Sequence, residues 1–187
     1  MAQKRKNWNG LISGFKASDL VFLDESGCNT DMTRRYAYSL GGSRAVDSAP
    51  LSKPKSTTIL SSIRLDGTLR YTTFSGGTTV ERFKRYLETD LLPHLNGNSV
   101  LIMDNMKSHH AKAVRNLLDS SGVRYIYLPP YSPDLNPIEK LWSKVKAFLR
   151  KFKARTLDAL PNAIQNAFHS VTVSDCSGWF RFCGHAL

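Results

Sequence analysis

Acidic residues are in short supply in this chain: 15 Asp and Glu stand against 26 Lys and Arg, a net charge of +11. Cysteine is scarcer. Cys28, Cys176 and Cys183 are odd in number and contain no CxxC pair, which excludes a disulfide framework and points to reduced thiols inside a cell. Their spacing, taken with His185, matches no usual zinc pattern. No long apolar run is present, and the basic opening MAQKRKNWNG lacks the apolar segment of a signal peptide. A membrane partner is therefore not expected, and the location is read as cytosolic, or nuclear if the host has a nucleus. Internal repeats and low-complexity segments are also missing. What these absences leave is a globular chain with a large basic excess, and such an excess most often serves a polyanion, nucleic acid first.

A length of 187 residues suits one domain with a real core. Residues 1–18 read as a basic N-terminal arm anchored only by Trp8, and residues 19–187 as the folded domain. Asp19-Leu20-Val21-Phe22-Leu23-Asp24-Glu25 is a nearly continuous apolar run, the mark of a buried central strand, with Ser26-Gly27 turning the chain away. MTRRYAYSLGG (32–42) suggests a short strand or turn, followed by loop. Ser56 to Ser75 reads as a hairpin turning at Asp66-Gly67. Thr78-Thr79-Val80-Glu81 reads as a capping-box start to a helix whose stripe is Val80, Phe83, Leu87 and Leu91, ended by Pro93. Ser99 to Asp104 repeats the first strand's pattern of an apolar run closed by an aspartate. A helix from about Ser108 to Gly122, a strand to Leu128, a long helix from Asn136 and a last helix over 157–168 complete the order, with an aromatic tail expected to pack. Strands alternating with helices predict an α/β fold, a mixed β-sheet flanked by α-helices.

The stretch Leu128–Trp142, LPPYSPDLNPIEKLW, joins a strand to the long helix. Four prolines in nine residues stiffen it, so Glu139 is delivered to a fixed place in the first helical turn. Glu139 can complete a capping box with Asn136, or it can serve a site. Asp24 and Asp104 each end an apolar strand, and ligands of open α/β sheets bind at that edge. If the two strands are neighbours, the aspartates sit side by side within reach of Glu139. Three such carboxylates repel one another unless a cation neutralises them, and hard oxygen ligands suit Mg²⁺ or Mn²⁺. Two ions roughly 3.5–4 Å apart would serve both oxygens of a phosphodiester displacement.

Four segments carry a sharper likeness. DLVFLDESG (19–27), MTRRYA (32–37), MDNMKSHHA (103–111) and LPPYSPDLNPIEKLWSKVK (128–146) together resemble the DDE transposases of mariner type, in particular their bacterial insertion-sequence branch, and GWFRFCG (178–184) resembles it too. The resemblance implies a ribonuclease H-like fold. It also implies a metal-binding Asp, Asp, Glu triad at Asp24, Asp104 and Glu139, with 34 residues between the last two. The activity implied is metal-dependent cleavage at transposon ends, then attack of the freed 3′-hydroxyl on target DNA, with transposon-end and target DNA as partners and a homodimer as the active complex. A prokaryotic, nucleoid-associated place in the cytoplasm follows.

Asn105 and His109 match the family's pattern around the second Asp. Asn105 could orient Asp104 or simply make the turn; His109 could approach DNA or the site, or be structural. Lys140, Lys144, Lys146, Arg150, Lys151, Lys153 and Arg155 line the polar side of the long helix, with no acid among them from 140 to 155. They form either a solvated face or a phosphate track. Arg34 and Arg35 are candidates for the same role. Only 23 residues precede Asp24, too few for the helix-turn-helix domains of the relatives. A DNA-binding polypeptide from an upstream reading frame is therefore an expected partner. Two other readings stand beside the transposase: a non-catalytic DNA-binding protein derived from one, and a ribonuclease H-like nuclease of other specificity.

Overall fold

The computed structural model describes residues 2–34, 36–48, 50–51, 54 and 56–185. In chain order they form α1 (Ala2–Ile12), β1 (Leu20–Asn29), β2 (Ser56–Arg64), β3 (Leu69–Ser75), α2 (Val80–Tyr86), β4 (Val100–Met103) and α3 (Lys112–Ser121). β5 (Arg124–Tyr127), α4 (Ile138–Phe152), α5 (Ala159–His169) and α6 (Val173–Phe182) follow. One five-stranded sheet runs β3-β2-β1-β4-β5; β2 is antiparallel to β1 and β3, and β4 is parallel to β1 and β5. The expected mixed sheet with helices on its faces is what forms.

Alternation along β1 sorts the core into two layers, because successive strand residues point to opposite faces. Leu20, Phe22 and Cys28 face the layer built by α4, α5 and α6, whereas Val21 and Leu23 face α2 and α3. Ile138, Leu141, Trp142, Val145 and Leu149 are the buried stripe of α4, at the spacing a helix needs to keep one face inward. α3 ends at Gly122, whose φ of 69° is the left-handed conformation that glycine adopts without a steric penalty. The hairpin turns at Asp66-Gly67, and Thr79 caps α2 by accepting the Arg82 amide.

Several sequence expectations give way. Ser26-Gly27 is not a turn: β1 continues to Asn29, and Gly27 lies opposite Thr58 of β2. The ladder with β2 outweighs the local turn preference of Ser-Gly. Residues 32–34 and 36–40 form no strand, and of the two expectations for this stretch the turn is the one that forms, at Gly41-Gly42, where the Ser43 amide donates to the Leu40 carbonyl. The arm of residues 1–18 holds α1, and Trp8 is not its only anchor: Trp8 is buried in the α4–α6 layer while Arg5 pairs with Asp134. Pro161 is harmless in the first turn of α5, where its missing N–H has no helical partner to lose. That helix is not the last, since the aromatic tail forms α6. Thr172 and Asp175 make a reciprocal capping box there, and Cys176 and Phe180 are buried.

α6 is thus a structural member of the core. Phe180 is fully buried and meets Phe22 edge-on with ring centroids 5.4 Å apart. Phe180→Ala is expected to cost about 3–5 kcal/mol, read as a lower urea midpoint. An unchanged midpoint would mean that α6 docks without holding the fold together.

Candidate active site

The last pair in the β1–β4 ladder is Leu23 with Met103, so the next residues on the two strands, Asp24 and Asp104, emerge side by side. β4 stops there because Asp104 Oδ1 accepts the Met106 amide at 2.9 Å and closes a turn. Leu128, at the exit of β5, donates its amide to the Met103 carbonyl at 2.8 Å. Asn105 donates its side-chain amide to the Leu128 carbonyl. Asn105 therefore ties the turn after β4 to the start of the proline-rich loop that leads to α4.

Glu139 lies in the first turn of α4, exposed, on the same cleft as Asp24 and Asp104. The capping box with Asn136 does not form. The start of α4 carries no side-chain cap, and Asn136 is instead buried against the cleft, its Oδ1 without a partner among the described residues. A 3-10 turn over Pro133–Leu135 rotates Asn136 inward, which leaves Glu139 unconstrained by capping. The cleft measures about 540 Å³. Among the described residues no three His, Cys, Asp or Glu side chains close into a ligand cage. The three carboxylates line one cleft.

Electrostatics separates the two aspartates. Burial pushes the Asp24 carboxyl up to about 7; its neighbour's amide opposes this, and the charges of Asp104, Glu25 and Glu139 add to it. Both Asp24 oxygens are hydrogen-bonded: Oδ1 accepts the Glu25 amide at 2.7 Å, and Oδ2 accepts the Trp142 indole N–H at 3.2 Å. Burial pushes Asp104 up as well, but the His109 ring and the Met106 amide outweigh it and hold that carboxyl below its ordinary value. His109 is fully buried, with Nδ1 at 2.9 Å from Asp104 Oδ1 and Nε2 at 3.1 Å from Glu25 Oε1. Burial lowers its proton affinity, but bonds to Asp104 and Glu25 carry it up to about 9.

The basic residues do not form one track. Arg34, Lys144, Arg150 and Lys151 meet around a separate groove of about 720 Å³, floored by Phe148 and edged by Tyr36. Lys144 also pairs with Asp175, the Lys140 ammonium sits 3.8 Å from the centre of the Phe182 ring, and Lys153 binds Asp47 at 2.6 Å. Arg155 donates to the Thr30 and Met32 carbonyls, and Lys146 is half-buried near Cys28. Four of the seven helix-side cations are thus engaged within the chain, and Arg35 lies outside the described residues. Glu25, Trp142 and Asn136 stand at the site although nothing in the sequence assigns them to it. Trp142 follows Glu139 at helical spacing, a usable signal; the Glu25–His109 contact needs the sheet register and is invisible without it.

A protein-family model described as "DDE superfamily endonuclease" matches residues 19–161. The Tc1 transposase of Caenorhabditis elegans is 30% identical over 97 residues, which covers 50% of this chain and 36% of that protein. The Mos1 transposase paired-end complex with the left transposon end superposes with a TM-score of 0.80 at 19% identity, covering 95% of this chain and 57% of that one. The isolated catalytic domain of Mos1 mariner transposase gives 0.69 at 17% identity, covering 98% and 88%. The chain therefore spans about a third of the Tc1 protein and somewhat over half of the Mos1 chain in the complex. The fold is ribonuclease H-like, as these structural matches establish.

Two shifted groups set an expected pH dependence in the absence of divalent cation. Folding favours protonated Asp24, so stability falls as pH rises from about 4 to about 7. It also favours the His109 imidazolium, whose contribution is complete below about 6.5 and is lost as pH rises through about 9. Melting temperature should therefore decline across this range, and His109→Gln should flatten the limb above about 6.5. An unchanged alkaline limb in that variant would assign the loss to another group.

Proposed function

Because the chain belongs to the DDE superfamily endonucleases, we propose that it is the catalytic domain of a mariner-type DNA transposase of the bacterial insertion-sequence branch. It cleaves DNA at transposon ends and joins the freed 3′-hydroxyl to target DNA. The observation that carries this reading is the register of β1 and β4, which sets Asp24 beside Asp104 on the cleft that Glu139 also lines. The relatives add support of their own: one neighbouring structure is a Mos1 paired-end complex with Mn and another a paired-end complex with Mg.

The cleft suits a hard divalent cation. Its donors are carboxylate oxygens, Asp24 is raised toward neutrality by burial and like charges, and the Asn136 side-chain oxygen Oδ1 is buried there with no partner among the described residues. Asp24, Asp104 and Glu139 would hold Mg²⁺ or Mn²⁺, two ions in our reading. Bound there, the ions would supply Lewis-acid stabilisation of charge on the phosphodiester oxygens. The chain's own residues set the stage. Asp104 Oδ1 is saturated by the Met106 amide and His109, which leaves Oδ2 as its ligand atom. Trp142 fixes the plane of the Asp24 carboxylate. Arg34, Arg150 and Lys151 offer cations to a DNA backbone along the neighbouring groove. End recognition falls to a DNA-binding part outside this catalytic fold, and the working form is a homodimer in the cytoplasm.

Mg²⁺-dependent nicking of DNA carrying transposon ends tests the assignment, with the DNA-binding part supplied in trans. Asp24→Asn or Asp104→Asn should abolish nicking and leave the protein folded; full activity in either removes that residue from the triad. Mn²⁺ at about a hundred times its Kd should stabilise the native state by about 2.7 kcal/mol. Glu139→Gln should shrink that gain markedly, and an equal gain in both proteins would take Glu139 out of the site.

A different assay reads the groove. Replacing both Arg150 and Lys151 by alanine should lower the salt slope of DNA binding by about 2, one for each phosphate no longer neutralised. An unchanged slope places the DNA elsewhere.

A further inference from the structure

Glu25 has no part in the triad, yet the residue borders the same cleft, and its side chain is only 6% exposed on the face of β1 opposite Asp24. Burying a carboxylate there is costly unless its oxygens are paired, and only Oε1 is: Oε2 has no partner among the described residues. A leucine at this position would fit the Val21–Leu23 layer at less cost. The one polar contact of Glu25 Oε1 is His109 Nε2, at 3.1 Å. The opposite ring nitrogen, Nδ1, lies 2.9 Å from Asp104 Oδ1.

The His109 ring is held from every side. Phe83 stacks on it with centroids 4.2 Å apart, its backbone amide donates to the Met106 carbonyl, and the Tyr127 hydroxyl donates to its carbonyl. Stacking restrains the plane of the ring but not which way round it sits, since a half-turn about the Cβ–Cγ bond leaves the plane unchanged. The orientation is set by the hydrogen bonds at its two nitrogens, Glu25 on Nε2 and Asp104 on Nδ1. Because Oδ1 of Asp104 takes both His109 and the Met106 amide, only Oδ2 remains to meet a ligand in the cleft.

We propose that Glu25 is a positioning residue, which tethers the His109 ring so that Nδ1 pins Asp104 Oδ1 and presents Oδ2 to the metal site. The chain of contacts runs through the sheet: a carboxylate on the α2–α3 side sets the aim of a carboxylate at the strand edge. It rests on the reading of Asp104 as a metal ligand. Outer partners of this kind tune metal affinity about as strongly as a poor ligand substitution does, by about 10–100-fold.

Mn²⁺ affinity, titrated by the EPR signal of free Mn²⁺ well below the melting temperature, separates this role from a merely structural one. Glu25→Leu removes the tether and should weaken Mn²⁺ binding about tenfold or more, whereas Glu25→Gln keeps a hydrogen bond, its side-chain oxygen accepting from Nε2–H, and should stay within about threefold of wild type. Wild-type affinity in Glu25→Leu overturns the proposal. Should that variant fail to fold, His109 supplies the test. In His109→Asn the shorter amide needs no tether, reaches the place of Nδ1 and should retain Mn²⁺ binding, while His109→Leu should lose it; equal affinities in the two overturn the pinning of Asp104, and the tether with it. Asp104→Asn is the control for the underlying reading. If it binds Mn²⁺ as wild type does, the fault lies with the metal-site assignment and not with Glu25.

Discussion

Four residue pairs hold the site. Leu20 to Leu23 lie against Val100 to Met103 in parallel register, and where β4 ends, β1 runs on alone against β2. A slip of one residue would turn Asp24 to the α2–α3 face and put Glu25 in its place, since side chains alternate strictly along a strand. The register is guarded by packing: all eight of these residues are almost wholly buried, on one layer or the other. Everything polar at the sheet edge inherits its aim from that apolar pairing. Asp24 meets Trp142 of α4 on one face while Glu25 meets His109 on the other.

Much of this is legible in the residues themselves, and what is not has a physical reason. Leu20-Val21-Phe22-Leu23 and Val100-Leu101-Ile102-Met103 announce buried strands because both faces are apolar, and an aspartate closing each run marks where burial stops. The α4 stripe is equally plain at three- and four-residue spacing. Local preference misleads where a distant partner decides. Ser26-Gly27 favours a turn by itself, but the β2 ladder straightens it; Asn136 favours a cap, but the 3-10 turn before it rotates the side chain inward. The tail's helix is visible in Thr172 and Asp175 three residues apart, a signal that a cluster of aromatics obscures. Long-range side-chain pairs such as Glu25–His109, 84 residues apart, cannot be read without the fold.

Charge is laid out in two zones. The carboxylates gather at the strand edge, where burial and mutual repulsion raise Asp24, and the nearest cationic group, His109, is internal. Arg150 and Lys151, which form no ion pair among the described residues, stand off along α4 at the groove with Arg34. Lys140, Lys144, Lys153 and Arg155 are spent on tying α6 and the long segment after β1 to α4. A basic composition thus does two jobs that sequence counting cannot separate: part of it faces solvent, and part of it stitches the chain together.

The place of β1 in the sheet also governs how the chain comes together in time. Residue 20 pairs with residue 100, so 80 positions separate the central parallel partners, whereas β2 and β3 are joined by a short hairpin. At a synthesis rate of about 5–20 residues per second, roughly 4–16 s pass between the emergence of β1 and that of β4. Throughout that interval Leu20-Val21-Phe22-Leu23 is a bare apolar edge, the kind that pairs with other chains. Early docking of β2 shields one side of it, and the other side stays open until the strand that brings Asp104 arrives. The chain is therefore most exposed to misassociation at the very strand on which its chemistry is later built.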